Sequence, residues 1–185
     1  DYNTKKIYKL NTSGTILSSF DSPGPQPRGL TWDGSNLWHT DQSTEKIYKL
    51  NTSGTILSSF DSPAYFPRGL TWDGINLWYA DGGTKRIYKL NTSGTVLSSF
   101  NVPGGGNPQG LAWDGINLWY ADYDNDKIYK LNTSGTVLSS FDSPGPQPTG
   151  LAYGSGGNLW NANYSDSGKI YKIAAHSGLM LRAKD

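Results

Sequence analysis

The amino-acid sequence predicts an all-β protein, a β-propeller built from four-stranded antiparallel blades. Three observations support this fold class: a segment recurs about every 40 residues, each copy contains four short runs of strand-forming residues, and Gly, Pro, Asn and Ser separate these runs. A β-solenoid is the competing architecture, but its coils have shorter periods and lack paired hairpin turns. A helical array is excluded because turn residues interrupt every window long enough for a helix.

The repeat is most visible in its second half. The segment from Lys46 to Pro63 recurs letter for letter from Lys6 to Pro23, and with the single change Val137 from Lys127 to Pro144. Copies this similar indicate recent amplification or deliberate consensus construction. We expect a single domain in which an N-terminal half-blade (1–22) precedes four repeats, at about 28–62, 68–102, 109–143 and 149–183.

Each repeat is predicted to contain four strands, a to d, which the second repeat illustrates. Strands a (69–73) and b (76–81) flank the tight-turn sequence Asp-Gly-Ile-Asn, and strands c (87–90) and d (95–100) flank Asn-Thr-Ser-Gly. Strands a and b are apolar on both faces, and polarity rises towards d. This gradient is expected of wedge-shaped blades, whose outer strands meet water.

The order Pro-x-Gly-Leu-x-Trp-Asp-Gly-x-Asn-Leu-Trp-Tyr-Ala-Asp, then Lys-Ile-Tyr-Lys-Leu, then Gly-Thr-Val-Leu-Ser-Ser-Phe resembles the blade of NHL and YVTN-type propellers over nearly the whole chain. The resemblance implies the architecture and a ring that usually closes at five to seven blades. It does not imply one function, because such blades occur in protein-binding, RNA-binding, cell-surface and enzymatic proteins.

The N-terminal half-blade supplies strands c and d without a and b, which leaves three accounts of ring closure. In the first account, strands a and b of the last repeat (149–163) pair with the N-terminal strands (5–21) and leave 169–185 as a free arm. In the second, the last repeat keeps its own outer strands and the N-terminal pair docks elsewhere. In the third, the chain is part of a longer array. Because unpaired strands are templates for joining a neighbour, we expect strand exchange and self-association through the terminal strands.

Composition argues against several partners. A formal net charge of +1 gives no clustered basic field, so we expect no nucleic-acid partner. No apolar run approaches the roughly 18 residues of a membrane span. The absence of Cys removes disulfides and thiolate chemistry, and we expect no cofactor.

The repeats differ mainly in the d-to-a connections and the b-to-c loops, which emerge on the same face of an antiparallel blade. We expect this loop face to bind protein or glycan, although neutral drift would also produce variable loops. The candidate ligand-binding residues present aromatic and hydrogen-bonding groups; they are Arg28, Tyr65, Phe66, Arg68, Gln109 and Tyr123.

Carboxylates recur where strand b ends. Asp41, Asp81 and Asp122, with Asn163 in the fourth repeat, would either form a ring of oxygen ligands or, more simply, cap their own loops. A calcium candidate comprises Asp122, Asp124 and Asp126, which alternate as in a calcium loop but lack its following Gly and distal Glu.

Catalytic and sugar-stacking residues find less support. His39 and His176 are the only imidazoles and have no repeated carboxylate partner, so zinc binding and His-based acid–base chemistry are not expected. Trp pairs such as Trp72 with Trp78 could be sugar-stacking platforms, but their place on the driest strands favours a role in the core.

Five Asn-x-Ser/Thr sites indicate an extracellular or cell-surface protein if they carry glycans: Asn11, Asn51, Asn91, Asn132 and Asn163. In the first four, the sequence Asn-Thr-Ser-Gly also favours a tight turn.

The sequence thus predicts a non-catalytic exported scaffold for recognition or self-assembly. The alternatives are a multivalent, lectin-like propeller and an enzyme of the hydrolase, lyase or cyclotransferase type.

Overall fold

The computed structural model describes residue 1, residues 3–165 and residues 169–174. An N-terminal hairpin consists of β1 (Lys6–Leu10) and β2 (Ile16–Asp21).

The strands that follow form four antiparallel sheets, called blades 1 to 4. Blade 1 contains β3 (Pro27–Trp32), β4 (Leu37–Asp41), β5 (Lys46–Leu50) and β6 (Ile56–Asp61). Blade 2 contains β7 (Pro67–Trp72), β8 (Leu77–Asp81), β9 (Arg86–Leu90) and β10 (Val96–Asn101). After a 3-10 turn (Pro103–Gly105), blade 3 contains β11 (Pro108–Trp113), β12 (Leu118–Asp122), β13 (Lys127–Leu131) and β14 (Val137–Asp142). Blade 4 contains β15 (Pro148–Gly154), β16 (Asn158–Asn163) and β17 (Ile170–Ala174).

Burial within a blade follows the predicted gradient. In blade 2 every residue of β8 is buried, whereas β10 is largely exposed. The innermost strand β7 carries a bulge between Pro67 and Leu70, because proline has no N–H to donate to the β8 ladder. The predicted all-β propeller of four blades is therefore confirmed.

The turn between strands a and b is held by one aspartate. In blade 2, Asp73 Oδ1 accepts the backbone N–H of Asn76 at 2.7 Å, and its Oδ2 accepts the indole N–H of Trp78 at 2.9 Å. Lys89 on β9 lies 3.3 Å from the same carboxylate and 5.1 Å from the centre of the Trp78 ring. Trp78 is fully buried, which confirms the core role of this tryptophan.

Neighbouring blades pack face to face through a repeated set of side chains. Between blades 2 and 3, the aromatic and aliphatic groups of Trp78 and Ile87 meet Leu111 and Tyr120. Equivalent residues form the cores between blades 1 and 2 and between blades 3 and 4. This repetition buries most of the apolar surface between blades rather than within one sheet.

The N-terminal hairpin docks on blade 1 as each blade docks on the next. Ile7 and Phe20 pack against Tyr48 and Leu50 of blade 1. The hairpin is a two-stranded sheet, and β16 pairs with β17 rather than with the N-terminal strands. The account in which residues 149–163 pair with residues 5–21 is therefore wrong, because the fourth repeat supplies its own third strand.

Blade 4 departs from the pattern of the other blades. Gly154 stands where Asp73 stands in blade 2, so the indole of Trp160 has no equivalent carboxylate, and this side chain is 40% exposed. The predicted fourth strand of this repeat, at 178–183, lies outside the described residues.

Candidate ligand-binding site

The innermost strands of the four blades surround a central opening. They approach so closely that glycine is required: a Cβ on Gly69 would lie 2.4 Å from the carbonyl oxygen of Gln109 in the next blade. Gly29 and Gly110 meet the backbone of Arg68 and Leu151 in the same manner. Backbone thus packs against backbone around the axis, which leaves the side chains just before each glycine to face the opening.

The opening has a volume of about 740 Å³. Its wall repeats one pattern, a polar residue followed by glycine and leucine, contributed by all four inner strands. The polar positions are Arg28, Arg68, Gln109 and Thr149, with Asn3 and Tyr164 at the rim. These four positions are equivalent in the repeat, yet they carry three different residue types.

The structure divides the six candidate ligand-binding residues into two groups. Arg28, Arg68 and Gln109 line the opening. Tyr65 and Phe66 lie in the connection from β6 to β7, outside the wall, and Tyr65 is 72% exposed. Tyr123 packs against Tyr164 with ring centroids 6.3 Å apart. Sequence reasoning did not identify Thr149 or Tyr164, although Thr149 could have been found from its place before glycine in the repeat.

Arg28 and Arg68 are held together by Gln42, which lies in the loop after β4. The Nε of Arg28 donates to Gln42 Oε1 at 2.9 Å, and Nη1 of Arg68 donates to the same oxygen at 3.2 Å. The Nε of Arg68 is buried and has no hydrogen-bond partner among the described residues. Desolvation by burial, followed by repulsion from Arg28, lowers the pKa of the Arg68 guanidinium.

The aspartates that end strand b fasten the loops beside the opening. Asp81 Oδ1 accepts the backbone N–H of Gly83 at 3.0 Å and of Thr84 at 2.7 Å. Its Oδ2 accepts the N–H of Phe66, from the d-to-a connection, at 2.8 Å. Asp81 therefore caps its own loop, as predicted, and also ties that loop to the adjacent one.

A buried position two residues before these aspartates differs between blades. Tyr79 donates its hydroxyl to Asp81 Oδ2 at 2.8 Å, and desolvation by burial is the main cause that raises the pKa of this phenol. His39 takes the equivalent place in blade 1, where burial lowers its pKa to about 4. Its Nδ1 lies 3.1 Å from the Gly29 carbonyl, and Nε2 lies 3.0 Å from Ser22 Oγ. A neutral imidazole with Nδ1 protonated satisfies both contacts.

Each of the three carboxylates of the calcium candidate accepts a hydrogen bond from a neighbouring loop. Asp122 accepts the N–H of Asn107 at 3.1 Å, Asp124 accepts its side-chain amide at 3.4 Å, and Asp126 accepts the N–H of Gln147 at 2.7 Å. In the described part of the chain, no three His, Cys, Asp or Glu side chains form a group that could hold a metal ion.

The asparagines of the glycosylation pattern fall into two environments. In Asn91, the side-chain Oδ1 accepts the N–H of Ser93 at 3.1 Å and of Thr95 at 2.9 Å, and Asn11, Asn51 and Asn132 make the same turn. Asn163 is buried, and its amide nitrogen donates to the Pro146 carbonyl at 3.1 Å. The same nitrogen donates to Ser143 Oγ at 3.3 Å, so a glycan on Asn163 would displace one of these two bonds.

Comparison with known proteins identifies the fold. No protein-family model and no curated protein sequence matches this chain. A streptogramin B lyase structure matches with a TM-score of 0.59 and 24% identity, over 91% of this chain and 61% of the lyase. The glutaminyl cyclase of Myxococcus xanthus gives 0.73 and 15%, over 90% and 80% of the two chains. A nidogen–laminin complex gives 0.68 and 21%, over 92% and 72%.

These similarities establish the β-propeller fold, which enzymes and a propeller in a protein complex share. The chain spans less than two thirds of the length of the streptogramin B lyase. The prediction that the protein is not an enzyme is wrong, because a lyase and a cyclase are among the similar structures and the fold therefore does not exclude catalysis. The resemblance to NHL and YVTN-type blades remains a prediction within the broader group of propellers.

Proposed function

We propose that the protein is a recognition module that binds its ligand at the mouth of the central opening. One observation carries this proposal: the inner-strand position just before the glycine carries three residue types in the four near-identical repeats, and all four residues at this position line that opening. These side chains are Arg28, Arg68, Gln109 and Thr149. A rigid repeated scaffold that presents unequal side chains into one concave surface is the arrangement that binding sites commonly use.

The opening and the loops beside it suit a protein segment or a glycan. Exposed aromatic groups at Tyr65, Phe66 and Tyr164 offer flat apolar surfaces, and the wall offers hydrogen-bonding groups. Because a lyase and a cyclase share this fold, the proposal includes binding with or without a subsequent reaction.

Nuclear magnetic resonance of the isotope-labelled full chain tests the proposal. A library of small-molecule fragments, short peptides and oligosaccharides is added, and the backbone amide shifts are followed. We expect the perturbed amides to cluster at Gly29, Gly69, Gly110 and Gly150, beside the opening. Ligands that perturb only the outer strands β6, β10 and β14 would overturn it.

A second candidate function is self-association, which the uncovered face of β3 favours. Leu30 is 45% exposed, whereas its equivalent Leu70 is 3% exposed because the preceding blade covers it. The far face of blade 4 exposes Trp160 and Ile170, which belong to the opposite side of the same type of contact. These two types of face pack against each other at the three contacts between successive blades of the chain. The partner we therefore propose for β3 is blade 4 of a second copy.

An extracellular or cell-surface location is also proposed, on the support of the four turn asparagines. In these turns the side-chain Oδ1 accepts the hydrogen bonds, as at Asn91, so the side-chain amide nitrogen remains available to carry a glycan. No helix of the described residues is long and apolar enough to cross a membrane. Loss of mass on enzymatic deglycosylation of the protein secreted from a eukaryotic host would support export; an unchanged mass would count against it.

A further inference from the structure

Two arginines share a single neutral acceptor at the mouth of the opening. Gln42 Oε1 accepts from Arg28 Nε at 2.9 Å and from Arg68 Nη1 at 3.2 Å, although the two guanidinium groups come from different blades and repel each other. The amide oxygen orients both cations but carries no charge that would compensate theirs.

Arg68 uses few of its donors. A guanidinium has five N–H groups, and within the described residues the guanidinium of Arg68 donates one hydrogen bond and forms no ion pair. Its Nε is buried without a partner. A cation that has lost part of its hydration without gaining a carboxylate is stabilised by an anion that approaches it.

Among the described residues, no carboxylate forms an ion pair with Arg68. The described residues that line the opening include no Asp or Glu, and Asp1 lines the adjacent cavity beside Arg28. Asp81 raises the pKa of Arg68, but less than burial and Arg28 lower it, and its oxygens already accept bonds from Phe66, Tyr79 and Thr84. The remaining wall positions, Gln109 and Thr149, are neutral.

We propose that Arg28 and Arg68 bind an oxyanion group of the ligand, a carboxylate, a phosphate or a sulfate. The fork of N–H donors on each guanidinium matches the oxygens of such a group. This inference rests on the proposed function, because the pair belongs to the same opening. It specifies the chemical class of the ligand: a molecule that presents at least one anionic oxygen group to the axis of the propeller.

Anion titrations of the full chain test the inference. Sodium phosphate, sodium sulfate and sodium acetate are added in separate experiments, with sodium chloride keeping the ionic strength constant, and the Nε–H signals of the arginines are followed. We expect saturable shifts of the Arg28 and Arg68 signals, with a dissociation constant on the order of 1 mM for the best anion. Saturation by phosphate and sulfate, or by acetate, separates tetrahedral from planar groups; saturation by none of them overturns the inference.

Three variants sharpen the test. Arg68→Gln removes one cation, and Gln42→Glu supplies a carboxylate of the same size to both arginines; each should weaken anion binding by about tenfold or more. Arg86→Gln is the matched control, since Arg86 donates to Asn101 and Ser99 on the outer strands. Wild-type anion affinity in Gln42→Glu would contradict the inference, as would an equal loss in Arg86→Gln.

The outcome also separates this inference from the proposed function. If neutral fragments bind at the opening and no oxyanion does, the arginine pair is not an anion site but the opening remains the binding site. If neither neutral fragments nor oxyanions perturb the residues of the opening, both proposals fail.

Discussion

His39 shows how one residue changes the chemistry of a repeated position. It stands where blades 2 and 3 carry Tyr79 and Tyr120, and all three side chains are buried beside the aspartate that ends strand b. A tyrosine donates to that aspartate, whereas the imidazole bridges Gly29 and Ser22 instead. The histidine is therefore a packed structural group in its neutral form rather than an acid–base catalyst at neutral pH.

This burial predicts a loss of stability in mild acid. The pKa of His39 falls from its ordinary value of 6.5 to about 4 on folding, so the unfolded chain binds a proton first as the pH drops below 6.5. The contribution of neutral His39 to the free energy of unfolding is fully present above pH 6.5 and is lost as the pH falls towards 4. We expect the free energy of unfolding to decrease by about 2 kcal/mol between pH 7 and pH 5, measured by urea denaturation.

His39→Tyr is the matched variant, because it places in blade 1 the residue of blades 2 and 3. The histidine contribution to the acid sensitivity should disappear in this variant. Equal losses in the variant and the wild-type protein between pH 7 and pH 5 would show that other groups cause the effect.

At the scale of elements, the turn between strands c and d links one blade to the next. Gly94 has φ of +89°, and a Cβ added there would lie 2.6 Å from Cδ2 of Phe60 in the preceding blade. The same contact joins Phe20 to Gly54 and Phe100 to Gly135. This glycine serves two purposes: it allows the left-handed backbone and admits the neighbouring phenylalanine.

Alanine substitutions separate these two purposes. Gly94→Ala introduces backbone strain and a clash with Phe60, whereas Gly74→Ala, with φ of +100° and no atom within 4 Å, introduces strain alone. We expect thermal or urea unfolding to show a loss of about 1 kcal/mol for Gly74→Ala and about 2 to 4 kcal/mol for Gly94→Ala. Equal losses would mean that the contact between blades adds nothing at this turn.

The strands could be predicted because the same local sequence pattern occurs in every repeat. Strand c of the second repeat was expected at 87–90 and is Arg86–Leu90; strand a was expected at 69–73 and is Pro67–Trp72. The shift in strand a arises because the bulge after Pro67 lets the chain pair earlier than its apolar alternation indicates.

For the whole molecule, the uncovered faces predict association in solution. Light scattering after size-exclusion chromatography should give a mass above the 20.2 kDa of one chain at tens of micromolar protein. Leu30→Lys should shift the protein towards the monomer, because it places a charge on the uncovered face of β3. Ile116→Lys is the control, since Ile116 is also exposed, at 75% against 45% for Leu30, but lies in a turn of blade 3. A monomeric wild-type protein would contradict the proposed contact.

The arrangement of the site was only partly predictable. Arg28, Arg68 and Gln109 could be selected as variable positions, because comparison of the repeats within one chain shows where they differ. Gln42 could not, since it meets Arg68 only when two blades pack side by side. Whether the fourth repeat or the N-terminal hairpin supplies the third strand to β16 is also a tertiary matter, because both carry the same strand sequence pattern.

The central claim is that the unequal residues just before the inner-strand glycines form the binding site. It is tested most directly by making those residues equal: Arg28→Thr, Arg68→Thr and Gln109→Thr together give every inner strand the residue of Thr149. The fragment and oligosaccharide library is then screened by nuclear magnetic resonance against this variant and the wild-type protein. The account predicts that the variant stays folded, with its amide spectrum dispersed, and loses the ligands that perturb the opening. A folded variant that keeps the same ligands with the same affinities would contradict it.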